Sequence, residues 1–159
     1  MPGSYVVQLL KLATLVACLI VSQNTAATII SATDTGWYNS AGGHNPNNNN
    51  YAVGWGELQA NAFSEIRNFF VFDLTGVGAV TTAVLRAYQT DATQNNPAGY
   101  FSPDPSEIWS LFDVTTNIAD ITTGNAGVTA FNDFADGMSY GSKAVSAADN
   151  GSFVEIMLN

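Results

Sequence analysis

Residues 67–90 read RNFFVFDLTGVGAVTTAVLRAYQT, two dense runs of strand-forming residues joined by a glycine-rich break. Phe69, Phe70, Val71, Phe72 and Leu74 put large apolar groups on both faces of a strand, whereas a strand with one wet face alternates. A central strand, buried on both sides, is therefore expected over 69–74. Val80 to Gln89 reads differently, with Ala83, Leu85 and Ala87 on one face and Val84, Arg86 and Tyr88 on the other. That alternation suits a strand with one face on the core and the other partly wet. Asp73 and Arg86 stand among apolar neighbours. Their expected role is to pair across the sheet or cap its loops, not to catalyse.

Working outward, TIISAT at 28–33 and Gly36-Trp37-Tyr38 read as two short strand segments separated by a turn at Asp34. The stretch from Asn39 to Glu65, dominated by Asn, Gly and Ala, reads as one or two extended surface loops with a short strand at Tyr51 to Trp55. On the other side, DATQNNPAGYFSPDPSE is a polar, proline-containing loop, and Glu107 to Val114 a further strand. NIADITT and GVTAFNDF carry apolar residues at roughly helical spacing, which predicts one or two short helical turns between Thr116 and Asp136, stopped by Gly124 and Gly137. MSYGSKAV and FVEIMLN are expected to form a hairpin around Asn150-Gly151, because both residues of an Asn-Gly turn tolerate positive φ. No repeat of fixed period occurs. The pattern predicts an all-β chain, an antiparallel β-sandwich or jelly roll with one or two short helical turns.

The first 27 residues, MPGSYVVQLLKLATLVACLIVSQNTAA, are of another kind: Lys11, an apolar run from Leu12 to Val21, then polar and small residues. That order is the secretory signal pattern, with the expected cut after Ala27. The apolar run is short for a membrane span, so no transmembrane segment is expected in the mature chain. Leu15-Val16-Ala17-Cys18 loosely fits a bacterial lipoprotein box, but the apolar run continues past Cys18, which favours a discarded leader. The expected product is a single domain over 28–159. It keeps 3 basic residues against 13 acidic ones, a net charge of −10, and no cysteine. Thiol chemistry is excluded for it, and an acidic chain this poor in basic groups repels phosphate backbones, so nucleic acid is not an expected partner. Only 11% of the residues are charged, far below the roughly 25% typical of soluble domains. Asn, Ser, Thr and Gly must carry the surface.

Candidate chemistry is sparse. The one histidine, His44, lies in the Asn-rich AGGHNPNNNN loop, where a hydrolytic base is hard to hold in geometry, and it reads as a surface loop residue. A glycosidase pair needs two carboxyls facing each other across about 5 to 10 Å, which spacing in sequence does not reveal. Calcium takes oxygen ligands from Asp, Asn and carbonyls in short glycine-containing loops, and Asn132, Asp133 and Asp136 before Gly137 offer such a set, against a turn and capping role. Ser102 to Glu107 is a weaker cluster of the same kind. Aromatic rings at loops can stack on pyranose faces. Trp37, Tyr38, Tyr51, Trp55 and Tyr100, with Phe101, are the candidates for such a platform, against a core role, and Trp109 inside its strand is assigned to packing.

The strand pair RNFFVFDLTGV-G-AVTTAVLRAYQ resembles that of secreted bacterial β-sandwich proteins in which an FxVFDLSGV-like strand precedes VTSATLRLY. The similarity continues through SPDPSEIWSLFDVTTNIADITTG, AFNDFADGMSYGS and VSAADNGSFVEIMLN, most of the mature region. Members of this family often end in a PEP-CTERM sorting tail, and their hosts are mostly exopolysaccharide-producing Gram-negative bacteria. The resemblance implies export and a cell-surface or extracellular-matrix location, and it brings no catalytic residues. The family domain would continue beyond FVEIMLN, so a C-terminal truncation is expected. Three functions follow as expectations: a non-enzymatic exported protein associating with polysaccharide, a secreted carboxylate-dependent glycoside hydrolase, or a structural subunit that completes its sheet with a partner's strand.

Overall fold

The computed structural model describes residues 27–59, 62–91 and 99–159. All but the last residue of the expected leader, Cys18 included, and residues 92–98 of the proline-containing loop lie outside these. Among the described residues the chain forms β1 (Ala32–Asn39), β2 (Gly54–Gln59), β3 (Ala62–Phe72), β4 (Ala83–Gln89), β5 (Glu107–Phe112), α1 (Ile118–Thr123), α2 (Gly127–Asp133), β6 (Ser139–Val145) and β7 (Ser152–Leu158). Every strand pair is antiparallel, in a three-stranded sheet of order β1-β3-β2 and two ribbons, β4-β7 and β5-β6. The chain is all-β with two short helices.

The decisive stretch lies where its composition predicts, since β3 is the central strand. The strand begins at Ala62, however, earlier than the apolar run, because β2 pairs antiparallel with residues 62–66. Leu74 is outside it and exposed. There Asp73 accepts a hydrogen bond from the Thr75 amide (2.9 Å), and Val77 N–H donates to the Leu74 carbonyl, closing the turn. On one face of β3, Phe69 packs with Tyr38, Ile121, Ala130, Phe131 and Phe134, so the two helices cover that side of the sheet. Gly124 stops α1 in the left-handed conformation (φ 82°), as its position predicts. Asn117 caps the start of α1 through its side chain. α2 ends at Asp133, before Gly137 is reached.

Two sequence expectations are overturned by local chemistry. Asp34 is not a turn: β1 runs through it, and the irregularity is a bulge between Ala32 and Asp34. Thr33, the extra residue, turns its hydroxyl onto the Val71 carbonyl (3.2 Å). The Asn150-Gly151 hairpin does not form either. β6 pairs with β5 and β7 with β4, from Ala83 opposite Leu158 to Gln89 opposite Ser152. Asn150 is extended (φ −60°, ψ 140°), so only Gly151 supplies the positive φ that the turn needs twice. Instead Ser146 and Asp149 close a capping box around a 3-10 turn at Ala147–Asp149. The Asn150 side-chain oxygen accepts from Gln89 (3.0 Å) and from the Tyr100 amide (2.7 Å).

The two ribbons share a second apolar cluster. Val145, Val154 and Ile156 are buried, with Leu85, Trp109 and Leu111 packed around them. Trp109 is thus a packing residue. β4 alternates as its sequence demands, with Ala87 and Gln89 buried and Val84, Arg86 and Tyr88 exposed. Arg86 pairs with Glu155 directly across the ribbon (2.9 Å) and lies over the Phe153 ring, so Asp73 and Arg86 are both structural, with separate partners.

Candidate functional site

The long Asn-rich connection between β1 and β2 is an ordered wrap built from side-chain turns. Asn39 accepts hydrogen bonds from the amides of Ala41 (3.0 Å) and Gly43 (2.8 Å), Asn45 from Asn47 (3.0 Å), and Asn48 from Asn50 (3.2 Å). All but the Gly43 bond, which spans four residues, are the Asx geometry in which a short amide side chain replaces a backbone partner. The composition that hides strand or helix in the sequence is what fixes this loop.

His44 anchors it. Its ring stacks on Tyr38 at 4.7 Å with an interplanar angle of 11°, and Nδ1 lies 2.9 Å from the Trp37 carbonyl. A carbonyl only accepts, so Nδ1 carries the proton. His44 is therefore not a free surface residue but a clamp on the outer edge of β1. A Cβ at Gly36 would fall 2.8 Å from the imidazole, so a glycine is needed under the ring.

Beyond His44 the wrap crosses to the face of the sheet opposite the helices. Thr35 donates its hydroxyl to the Asn49 carbonyl, Trp37 Nε1 donates to the Asn50 side chain (3.1 Å), and the Tyr51 ring lies 5.4 Å from that of Phe70. The Tyr51 hydroxyl donates to the Tyr88 carbonyl of β4, and burial pushes its phenol above the ordinary value. Trp37 and Tyr51 thus stand on one face, beside exposed Asn49 and Asn50, with Tyr51 37% exposed. This combination of fixed rings and amides can stack on and hydrogen-bond a polyhydroxylated ligand.

The other candidates are placed elsewhere. Trp55 on β2 is 76% exposed and pairs opposite Glu65, on the alternate parity to Trp37 and Phe70. Tyr38 is removed from any surface platform. Its side chain is wholly buried, and its hydroxyl donates to the Ile121 carbonyl (2.7 Å), because the helices pack over that face. Burial raises its phenol pKa, and the Asp120 carboxylate adds to the shift. Tyr100 is half-buried against the ribbon cluster, its hydroxyl turned onto the Asp104 carbonyl (2.8 Å). Its neighbour Phe101, 80% exposed, lines a shallow hollow of about 480 Å³ with Pro103, Pro105 and Ala147.

The proposed calcium set does not converge. Asp133 turns both carboxylate oxygens onto the segment after β5, accepting from the Thr115 and Thr116 amides (2.9 and 2.7 Å) and the Thr115 hydroxyl (2.9 Å). Asp136 accepts from the Gly137 amide (2.7 Å), and Asn132 is exposed. These residues are turn and cap groups and do not fit a calcium site. Ser102 and Glu107 of the weaker cluster bond each other (2.8 Å). Among the described residues no group of three or more His, Cys, Asp or Glu is placed to hold a metal ion.

Asp133 has a measurable consequence. Burial pushes its carboxyl up, but the hydrogen bonds from Thr116 and Thr115 outweigh burial and hold it below the ordinary 3.8. A depressed folded-state value stabilises the fold above the unfolded pKa and is lost as pH falls through the folded one. Asp133→Ala is expected to lower stability by about 1–3 kcal/mol at neutral pH. In thermal melts the gap to the parent should close progressively below about pH 4, and a gap independent of pH would contradict this role.

Among the described residues, no helix is long and apolar enough to cross a membrane. No protein-family model, curated protein or solved structure matches the chain.

Proposed function

We propose that the chain is an exported, non-enzymatic protein of the bacterial cell surface or extracellular matrix that associates with polysaccharide through the Trp37–Tyr51 face. The observation that supports this reading is the wrap itself, in which successive Asx turns hold two aromatic rings and several amides on one side of a sheet. A preorganised surface of this kind loses little conformational freedom when it binds. The leader-like first 27 residues and the resemblance to secreted β-sandwich proteins agree with export. The strong acidity, 13 Asp and Glu against 4 Lys and Arg, favours neutral or cation-bridged glycans over strongly anionic ones.

Affinity electrophoresis on a panel of bacterial exopolysaccharides tests the reading. Retardation is expected on at least one neutral glycan, and Trp37→Ala and Tyr51→Ala should each weaken it about tenfold, the equivalent of about 1.4 kcal/mol. No retardation on any glycan would remove the carbohydrate function. Retardation unchanged in the double variant would place it elsewhere, with Phe101 and its hollow the next surface to alter.

A further inference from the structure

β3 has a partner along only part of one edge. β2 pairs with residues 62–66, while β1 pairs with residues 66–72 on the other side. Two hydrogen bonds fix which backbone groups face which edge. The Glu65 carbonyl accepts from the Ser40 amide (2.9 Å) and the Val71 carbonyl from the Thr33 hydroxyl, so the odd-numbered residues turn toward β1. Backbone groups alternate between the two edges of a strand. The N–H and C=O groups of Asn68, Phe70 and Phe72 therefore face the edge beyond β2, where no partner occurs among the described residues.

That edge is not bare surface. A groove of about 180 Å³ runs beside it, walled by Phe69, Phe70, Val71 and Phe72 and, across from them, by Val114, Thr116, Ile118 and Ile121. No residue of β1 contributes, which places the groove on the side where β3 is unpaired. Donors and acceptors recurring every second residue, about 6.6–6.8 Å apart, match an extended main chain and no compact ligand. Apolar walls beside them suit side chains at alternate positions of that chain.

Charge selects among possible occupants. Asp73 follows Phe72 and Asp113 precedes Val114, so carboxylates adjoin both walls in sequence. Arg67, the basic residue of β3, is bound to Glu65 (2.8 Å) and to the Phe131 carbonyl (2.9 Å). A second copy, at net charge −9, would bring like charge. We propose that residues 68–72 of β3 accept an extended segment of a different protein as an added strand, one with apolar residues at alternate positions and basic flanks. The groove shares Phe70 with the Trp37–Tyr51 face, but its test does not depend on glycan binding.

The probe is a seven-residue peptide alternating valine and threonine between terminal lysines, titrated into the full chain. Amide hydrogen exchange at Asn68, Phe70 and Phe72 is expected to slow at least about tenfold at saturation, the equivalent of about 1.4 kcal/mol. N-methylation of the central valine, which removes one strand donor, should lower affinity by a similar factor, and exchanging the lysines for glutamates should also weaken it. Asn68→Pro removes an amide that faces the open edge without touching the β1 ladder, and is expected to abolish binding. Should that variant fail to fold, the N-methylated peptide on the parent chain decides. Equal binding of the N-methylated peptide, or unchanged exchange at the three amides, would overturn the proposal. So would protection of those amides that rises with protein concentration alone, the signature of a second copy.

Discussion

Phe69→Ala is expected to lower the free energy of unfolding by about 3–5 kcal/mol, the range for truncating a buried phenylalanine in a packed core. The ring is only 5% exposed and meets four partners that cannot easily follow it into the space. Tyr38 lies 6.4 Å away between ring centres, Phe134 5.8 Å and His44 5.6 Å, while Ile121 belongs to the same cluster. Tyr38 is held by its hydrogen bond to the Ile121 carbonyl, and His44 by the Trp37 carbonyl, so relaxation into the cavity would break polar contacts. Against a typical total of about 5–15 kcal/mol, the loss leaves the fold marginal. Urea denaturation followed by tryptophan fluorescence measures it as a fall in midpoint at constant slope. Phe72→Ala, on the opposite and half-exposed face, is the control, with an expected cost of about 1–2 kcal/mol. Equal losses in the two variants would mean that the helices do not form the principal cover of the sheet.

The same residues show what was readable in advance. The run of Phe69 to Phe72 marks a central strand because only a strand with apolar cover on both faces tolerates it. Covering that strand takes two unlike devices, however, and only one of them is written as hydrophobic periodicity. On one side two short helices supply Ile121, Phe131 and Phe134, which the spacing of NIADITT and GVTAFNDF does announce. On the other side the cover is the Asn-rich wrap, whose hydrogen bonds are Asx turns between residues two apart. Composition identifies such a segment as loop and says nothing of its order, which depends on where β1 offers Trp37 and Thr35 as anchors. Tyr38 and Trp37 illustrate the limit for the site. They are adjacent and chemically alike, and only the pairing of Tyr38 with Arg67 and Trp37 with Asn68 decides which ring goes to the helices and which to the wrap. The failed Asn-Gly hairpin has a similar origin, since the capping box of Ser146 and Asp149 outcompetes the local turn once β7 is drawn to β4.

Gly141→Ala is the second large effect, and it tests how the two ribbons are joined. β6 and β7 do not pair along their length, yet the Asn159 amide donates to the Tyr140 carbonyl (2.8 Å), so they meet at one end. Gly141 sits at that meeting point with φ of 150°, and a Cβ there would run into the Met157 carbonyl oxygen, with the Ile156 side chain 3.3 Å away. The obstacle is backbone of a paired strand, not the end of a flexible side chain. Alanine must therefore adopt a disfavoured conformation, at about 1–3 kcal/mol, and push β6 away from β7, at a comparable overpacking cost. Separation there also opens the cluster of Val145, Val154 and Ile156, which no other part of the sequence is expected to reseal. Gly78→Ala is the matched control, because nothing lies within 4 Å of a Cβ at that position and its φ is not positive. It should leave stability unchanged or slightly raised by stiffening the unfolded chain. Thermal melts of the two variants, with amide exchange read at Ile156 and Asn159, separate the outcomes. Loss of protection at both amides in G141A but not in G78A is expected, whereas a G141A melt within a degree or so of the parent would show that the ribbons are not held by this contact.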